Sequence, residues 1–449
     1  MSSAPRPWYR ELNRYHWFVL TVAALGWLFD TMDQQLFTLA RTPAMRELLA
    51  ESPTQPPAKE LVADRAGFAT SIFLIGWATG GLVFGVLGDR IGRARTMLWT
   101  ILLYSIFTGL SALSVGFWDF ALYRFLTGLG VGGEFAVGVA LVAEVMPDRA
   151  RPYALGLLQS LSAVGNITAA LISMVTGLLV ASGVLGSGWR WMFVVGTLPA
   201  LLAIVIRARL KEPEAWRQQI AAGHARSMGS LGELFGTPEL RRRVIVGIVL
   251  ASAGVIGLWG IGFFMPDLLQ RVFRPELEKL GLSAKEVDGK LLQWTGINSI
   301  MQNLGGGLGV YSFALVSQRI GRRPTFAISF LAAMFSTMLV YSSFSSYWDM
   351  FWMTPLMGFC QLSIFGGYAV YFPELFPTRL RSTGTSFCYN VGRYVAAIGP
   401  SFLGLLTSRV YAHHAEPMRY AGVTMCAVFL IGLAALPFAP ETRGQPLPE

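Results

Sequence analysis

Long apolar runs separated by short polar connections dominate this chain. Runs able to cross a hydrocarbon core of about 30 Å lie near residues 17–40, 67–88, 96–115, 119–143, 152–181 and 190–209. Six more lie near 243–267, 294–318, 325–343, 348–372, 382–408 and 418–438. The pattern predicts an all-α integral membrane protein with twelve transmembrane helices, and an even count leaves both termini on one side. One long polar stretch interrupts the pattern midway. The expected organisation is a six-helix bundle over 1–210, a linker over 211–242 and a second six-helix bundle over 243–449. Two linker pieces, Pro213-Glu-Ala-Trp216 and Ser230-Leu-Gly-Glu233, read as short surface helices, the second opening on a capping-box pattern.

The two halves echo each other. Gly88 to Thr96 reads Gly-Asp-Arg-Ile-Gly-Arg-Ala-Arg-Thr, and 229 positions later Ser317 to Thr325 reads Ser-Gln-Arg-Ile-Gly-Arg-Arg-Pro-Thr. Glu144, Pro147, Arg149 and Arg151 are answered by Glu374, Pro377, Arg379 and Arg381, and Glu212 by Glu441. A period of half the chain in so apolar a sequence points to a transporter made of two pseudo-symmetric bundles. Gly88, Asp89, Arg90, Gly92, Arg93, Glu144 and Arg151 of the first half are read as gating motifs, with Arg319, Gly321, Arg322, Glu374 and Arg381 of the second.

Composition agrees with a bilayer environment: 53% of the residues are hydrophobic and 14% charged, against roughly 25% charged in a soluble domain. The net charge of +10 would suit nucleic acid, but its distribution argues for topology. With the N-terminus in the cytoplasm, 22 of the 36 Lys and Arg fall in the tails and loops on that side, 12 on the opposite side and two within spans. This is the positive-inside bias. The first span is too long for a signal-peptide core and no small-residue cleavage pattern follows it, so it is expected to remain as an anchor. Cys360, Cys388 and Cys426 fall inside spans and offer neither a disulfide framework nor metal-ligand spacing. Glycine runs at 128–133 and 305–309 lie inside apolar spans, where they suit close helix contact better than dinucleotide binding.

A charge inside a span costs about 2.5–3.5 kcal/mol on insertion scales, so it is a functional candidate. Five stand out: Asp30, Asp33, Arg124, Glu134 and Arg393. At the half-chain offset none of them is repeated, which suits the asymmetric tasks of binding and coupling. At roughly 1.5 Å per residue, Asp33 and Arg124 can share one level, and Asp30 and Asp33 project from one helix face. No histidine or lysine falls within a span, so a proton carrier has to be a carboxylate: Asp30, Asp33 or Glu134. The bland alternatives are a fixed Asp33–Arg124 ion pair and a packing or gating role for Glu134. Arg393 lies near the midplane, and its fork fits a carboxylate. An anionic substrate is its expected counter-ion, against a structural pair or carbonyl cap. Tyr389, Asn390, Gln361, Gln302, Asn303, Gln159 and Asn166 could complete a cavity, or could each bond helix to helix.

Gly85-x-x-Gly88-Asp89-Arg90-x-Gly92-Arg93 resembles the loop motif between helices 2 and 3 of the major facilitator superfamily, with Gln318 replacing Asp in the second copy. Arg124-x-x-x-Gly128-x-Gly130-x-Gly132 resembles the fourth-helix motif of its proton-coupled members. Glu374-x-Phe-Pro377-Thr-x-x-Arg381 and Pro440-Glu-Thr-Arg443-Gly444 resemble its sugar and organic-ion branch. Pro7-Trp-Tyr-x-x-Leu-Asn-Arg14, Asp30-x-x-Asp33, Gly132-Gly-Glu134 and Phe387-Cys-Tyr-Asn-Val-Gly-Arg393 look most like the sialate and aromatic-acid proton symporters, although Asp30-Thr-Met-Asp33 departs from their usual Asp-Gly-Phe/Tyr-Asp. The resemblance implies alternating access around a central site, in an inner membrane, by a monomer. The expectation is therefore a symporter of a small organic acid with protons, in a lipid bilayer, without cofactor, metal or nucleic acid. Arg393 would anchor the carboxylate, with Arg124 tuning the proton-carrying Asp. A carrier of neutral sugars or polyols and a transporter-like nutrient sensor are the alternatives; no nucleophile–base constellation suggests an enzyme.

Overall fold

In lipid a backbone must satisfy its own hydrogen bonds, and the apolar runs do so as helices, with no strand among the described residues. The computed structural model describes residues 7–50, 57–223, 228–282, 284–396, 402–403 and 405–448. The first half holds α1 (Arg14–Leu48), α2 (Lys59–Ile91), α3 (Arg93–Ser111), α4 (Phe117–Val145) and α5 (Arg151–Ala181), then a crossing split into α6 (Gly188–Val195) and α7 (Ala200–Arg209). The connection carries α8 (Glu214–Ala221) and α9 (Leu231–Leu234), the latter capped by the Ser230 hydroxyl accepting from Glu233 N at 3.2 Å. The second half holds α10 (Pro238–Val255), α11 (Met265–Lys279), α12 (Ala284–Ile320), α13 (Arg322–Ser343), α14 (Asp349–Leu375), α15 (Arg381–Ala396), α16 (Pro417–Met425) and α17 (Val428–Ala435). A π-helical turn, Ile256–Ile261, follows α10 and leads toward α11. Helix α10 starts at Pro238, inside the stretch read as linker, because Thr237 accepts from Leu240 N and Pro238 suits the first helical turn.

Together these make twelve membrane crossings, six in each half. Seven helical segments among the described residues are long and apolar enough by themselves. The other five, α1, α3, α12, α14 and α15, carry buried polar side chains such as Asp30, Thr108, Asn298, Gln361 and Asn390. Their lower hydropathy marks helices that turn polar groups toward the protein interior.

Both halves are knit by glycine at the same place. A Cβ on Gly80 would come 1.9 Å from Leu129 O, and one on Gly132 1.8 Å from Trp77 O, so α2 and α4 meet backbone to backbone. In the second half Gly305 and Gly309 bring α12 equally close to Pro355 O (1.9 Å) and Phe359 O (2.0 Å) of α14. The chain reverses from α2 into α3 at Gly92 (φ +110°) and from α12 into α13 at Gly321 (φ +99°). Each turn sits under a carboxylate that caps the next helix: Glu212 accepts from Ala94 N and Arg95 N at 3.1 and 3.0 Å, and Glu441 from Arg322 N and Arg323 N at 2.8 and 3.0 Å. Burial would raise the Glu441 carboxyl, but these backbone N–H groups, with Arg443 N and the Arg322 charge, hold it below the usual range.

Gly92→Ala and Gly321→Ala should each lower unfolding stability in detergent by roughly 1–3 kcal/mol, because a side chain there needs a conformation reserved for glycine and meets the capping carboxylate. Thermal melts of the purified protein read the effect; an unchanged melt in both variants would contradict the strained-turn account.

Candidate functional site

Three of the five charges inside spans meet at the centre. Asp30 on α1 and Glu134 on α4 are both buried; the Gln34 side chain acts as a donor toward Asp30, and Glu134 has no hydrogen-bond partner among the described residues. Gly26 makes room for Glu134: a Cβ there would come 2.4 Å from its Oε1. Asp30 feels the charges of Glu134, Asp33 and, from the other bundle, Arg393. Arg393, on α15, forms no ion pair with any carboxylate among the described residues. Its guanidinium instead lies 3.9 Å from the ring centre of Trp77 and 4.1 Å from that of Tyr389, and its NH1 donates to Asn390 Oδ1 at 2.9 Å.

Aromatic rings enclose this centre. Phe135 packs on Trp27 (4.5 Å) and on Tyr389 (5.0 Å), Trp77 meets Trp259 edge to face (6.2 Å), and Phe365 borders Tyr389 (6.3 Å). The buried Tyr104 hydroxyl has no hydrogen-bond partner among the described residues and lies within the electrostatic reach of Asp30, Glu134 and Asp33. None of these aromatic residues was singled out from the sequence except Tyr389, since an aromatic in an apolar span looks like packing. One signal was available: Trp27, Trp77 and Trp259 sit near midspan, whereas membrane tryptophans concentrate at the interfaces.

Asp33 and Arg124 lie to one side, within the first bundle. Their closest approach is 3.7 Å, and each has further partners: Asp33 accepts from Thr108 Oγ1 at 2.6 Å, while Arg124 donates to Ser111 Oγ and Thr127 Oγ1 at 2.7 and 3.0 Å. Phe193 covers the guanidinium 4.6 Å away. Arg124 therefore pairs with Asp33, while Asp30 faces the centre. Gln361 donates to Thr337 Oγ1 inside the second bundle at 2.8 Å, and Asn166 donates to Asn303 between bundles at 2.9 Å. Gln159 is buried with no partner for its amide oxygen among the described residues, and Gln302 is partly buried on α12. Among the described residues no group of three or more His, Cys, Asp or Glu is placed to share a metal ion.

The repeated motifs gather on the face that carries both chain ends. Asp89 reaches across to the start of α15, accepting from Ser382 N (3.2 Å), Thr383 N (2.8 Å) and Thr383 Oγ1 (2.6 Å), where a helix N-terminus has spare donors. Gly88 permits the approach, since a Cβ there would come 2.6 Å from Ser382 Oγ. Arg93 pairs with Asp89 (2.8 Å) and Glu144 (2.9 Å), and Arg381 of the second bundle shares Glu144 at 2.9 Å. Arg381 also donates to Pro448 O at 2.8 Å, and Trp216 of α8 donates to Asp89 O at 2.6 Å. Arg90 donates to Met228 O at 3.2 Å.

The second copy of the turn motif, around Gln318 and Arg322, stays within its own half. Arg322 pairs with Glu374 (2.8 Å), and Gln318, with its amide oxygen toward the guanidinium, accepts from Arg322 at 3.1 Å. Arg151 pairs with its neighbour Asp148 and donates to Ala143 O at 2.8 Å. Arg319 is exposed.

Compared with known proteins, the chain matches the family described as Major Facilitator Superfamily over residues 23–284 and that described as Sugar (and other) transporter over residues 208–449. It is 31% identical to a putative metabolite transport protein of Haemophilus influenzae, over 97% of this chain and 99% of that one. It is 30% identical to the cis,cis-muconate transport protein of Acinetobacter baylyi, over 76% and 78% of the two chains. Its fold is similar to that of a proton:xylose symporter bound to 6-bromo-6-deoxy-D-glucose, with a TM-score of 0.75 at 18% identity over 96% of this chain and 98% of that one.

Two outcomes follow from this geometry. Arg124→Met should destabilise the protein by roughly 3–5 kcal/mol, because it strands a buried carboxylate, and adding Asp33→Asn should recover much of the loss in thermal melts. Asp89→Ala should loosen the tie between bundles, so that a cysteine introduced as Thr385→Cys reacts several-fold faster with a maleimide applied to the terminal face. Equal labelling rates would show that the tie does not hold that face shut.

Proposed function

We propose that this chain, which belongs to the Major Facilitator Superfamily, is a proton-coupled symporter of a small organic acid that works by alternating access of its two bundles. The observation that carries the reading is Arg393: a partly buried cation well inside a span, flanked by aromatic rings, with no carboxylate among the described residues in an ion pair with it. Such a charge in a low-dielectric site calls for an anion, and a carboxylate matches its fork. A relative named for muconate transport agrees with an unsaturated carboxylic acid as cargo.

Asp30 and Glu134 supply the proton site. Two buried carboxylates, with only the Gln34 side chain acting as a donor toward Asp30 and none for Glu134 among the described residues, repel each other, and a proton held between them removes the repulsion. Because Asp30 also feels Arg393 across the bundle interface, occupancy of the cation by a substrate carboxylate changes what Asp30 experiences. That couples anion to proton. The Asp33–Arg124 pair is assigned to holding α1, α3 and α4 in register, and the Asp89 and Arg93 cluster to closing the terminal face. The basic bias of the loops supports assigning that face and both termini to the cytoplasm.

Moving a monoanion with one proton is electroneutral, and a tenfold pH gradient, about 1.4 kcal/mol, supports roughly tenfold accumulation. A second proton would add about 2.3 kcal/mol per 100 mV.

In proteoliposomes, addition of unsaturated and aromatic carboxylic acids should acidify the lumen, and Arg393→Ala should abolish the signal. Asp30→Asn should retain exchange of labelled acid across the membrane while losing accumulation driven by a pH gradient. Uptake of labelled sugar without a pH change, indifferent to Arg393→Ala, would sink the reading in favour of a neutral carrier.

A further inference from the structure

Trp77 is a residue that the proposed transport chemistry leaves unused, and three observations converge on it. Its indole lies 3.9 Å from the guanidinium carbon of Arg393, although the two residues belong to different bundles, α2 and α15. Its ring also meets Trp259, in the π-helical turn of the second bundle, edge to face at 6.2 Å. Its Nε1 is buried with no hydrogen-bond partner among the described residues, while the side chain itself is only 3% exposed. A buried N–H without a partner is rare enough in proteins to need a reason.

We infer that Trp77 is a specificity-determining residue of the anion site: its ring is the shelf that holds the Arg393 fork in one plane, and its N–H donates to the bound acid. This rests on the reading of Arg393 as the carboxylate anchor. A guanidinium is flat and stacks on an aromatic face, whereas an ammonium neither stacks nor presents a fork. Tyr389, 4.1 Å from the same guanidinium, supplies the other aromatic neighbour, but it sits four residues before Arg393 on the same helix and moves with it. Trp77 does not. It is fixed to the first bundle by the glycine crossing of α2 and α4, where Gly132 approaches Trp77 O. The first bundle therefore helps shape a receptor whose charge belongs to the second. Rocking the bundles apart along this contact would take the shelf from under the fork and withdraw the N–H donor, lowering affinity for the acid as the site changes access.

The test is a double-mutant cycle on acid binding, read as the rise in melting temperature that the acid induces in the purified full-length protein, with cis,cis-muconate and benzoate as probes. Trp77→Phe keeps a ring and removes the donor, and should weaken binding about three- to tenfold; Trp77→Leu removes both, and should weaken it about thirtyfold or more. Arg393→Lys should cost at least tenfold in the parent but little further in the Trp77→Leu background, because the fork has already lost its shelf. Additive losses, or a Trp77→Phe protein that binds like the parent while Arg393→Ala abolishes binding, would overturn the role of Trp77 and leave the anion site standing. Acid binding that survives Arg393→Ala would instead remove the anion site itself. Melts without acid show whether each variant is folded, and the Phe variant keeps the test available if Leu does not fold.

Discussion

The cost of holding charge inside a bilayer organises this molecule. Each ionisable side chain within the spans must be neutralised nearby or be of use, and the two outcomes are separated in space. Asp33 and Arg124 offset each other's charge at 3.7 Å and are bonded further by Thr108, Ser111 and Thr127, all inside the first bundle. Asp30, Glu134 and Arg393 form no such pair: Asp30 feels Arg393 across the bundle interface, and Glu134 stands behind it against Gly26 in the first bundle. The same solvent would penalise both groups equally. The difference lies in whether partners were supplied, and it is the less-partnered groups on which the proposed binding and coupling site rests.

Pseudo-symmetry sets the scaffold and is broken where work is done. Gly92 and Gly321, Glu212 and Glu441, and the pairs Arg93–Glu144 and Arg322–Glu374 repeat almost atom for atom. On the terminal face one break is the substitution of Asp89 by Gln318 in the second copy. Asp89 carries a carboxylate to the N-terminal donors of α15, whereas Gln318, in the equivalent position, stays with Arg322. The repeated contacts give the two bundles a common build, and Asp89, together with the Arg381–Glu144 pair, ties them along one seam of the terminal face.

Much of this was legible in the sequence because it rests on periodicity and charge. Span positions follow from the length of apolar runs, the turns from glycine beside basic residues, and the functional candidates from charges that do not repeat. The partners of those charges were harder to read. Asp30 and Asp33 lie three residues apart on one helix face, so spacing could not tell which would meet Arg124; packing against α3, through Thr108, decided it. The aromatic enclosure was not legible either, since burial of a ring in an apolar helix leaves the same trace whether it packs or binds. Glycine in contact with Glu134, at Gly26, is likewise a three-dimensional fact with no local signature.

Helix α15 has a consequence for how this chain can vary. Thr383 at its start grips Asp89, and Arg393, ten residues on, faces the centre. A continuous helix sets the two about 15 Å apart, and each added or deleted residue turns one against the other by about 100°. Side chains between them can be exchanged, but their number cannot. The segment from 383 to 393 is thus a ruler of fixed length and phase, on which an insertion tolerable in any surface loop would point the cation away from its chamber while leaving the seam closed.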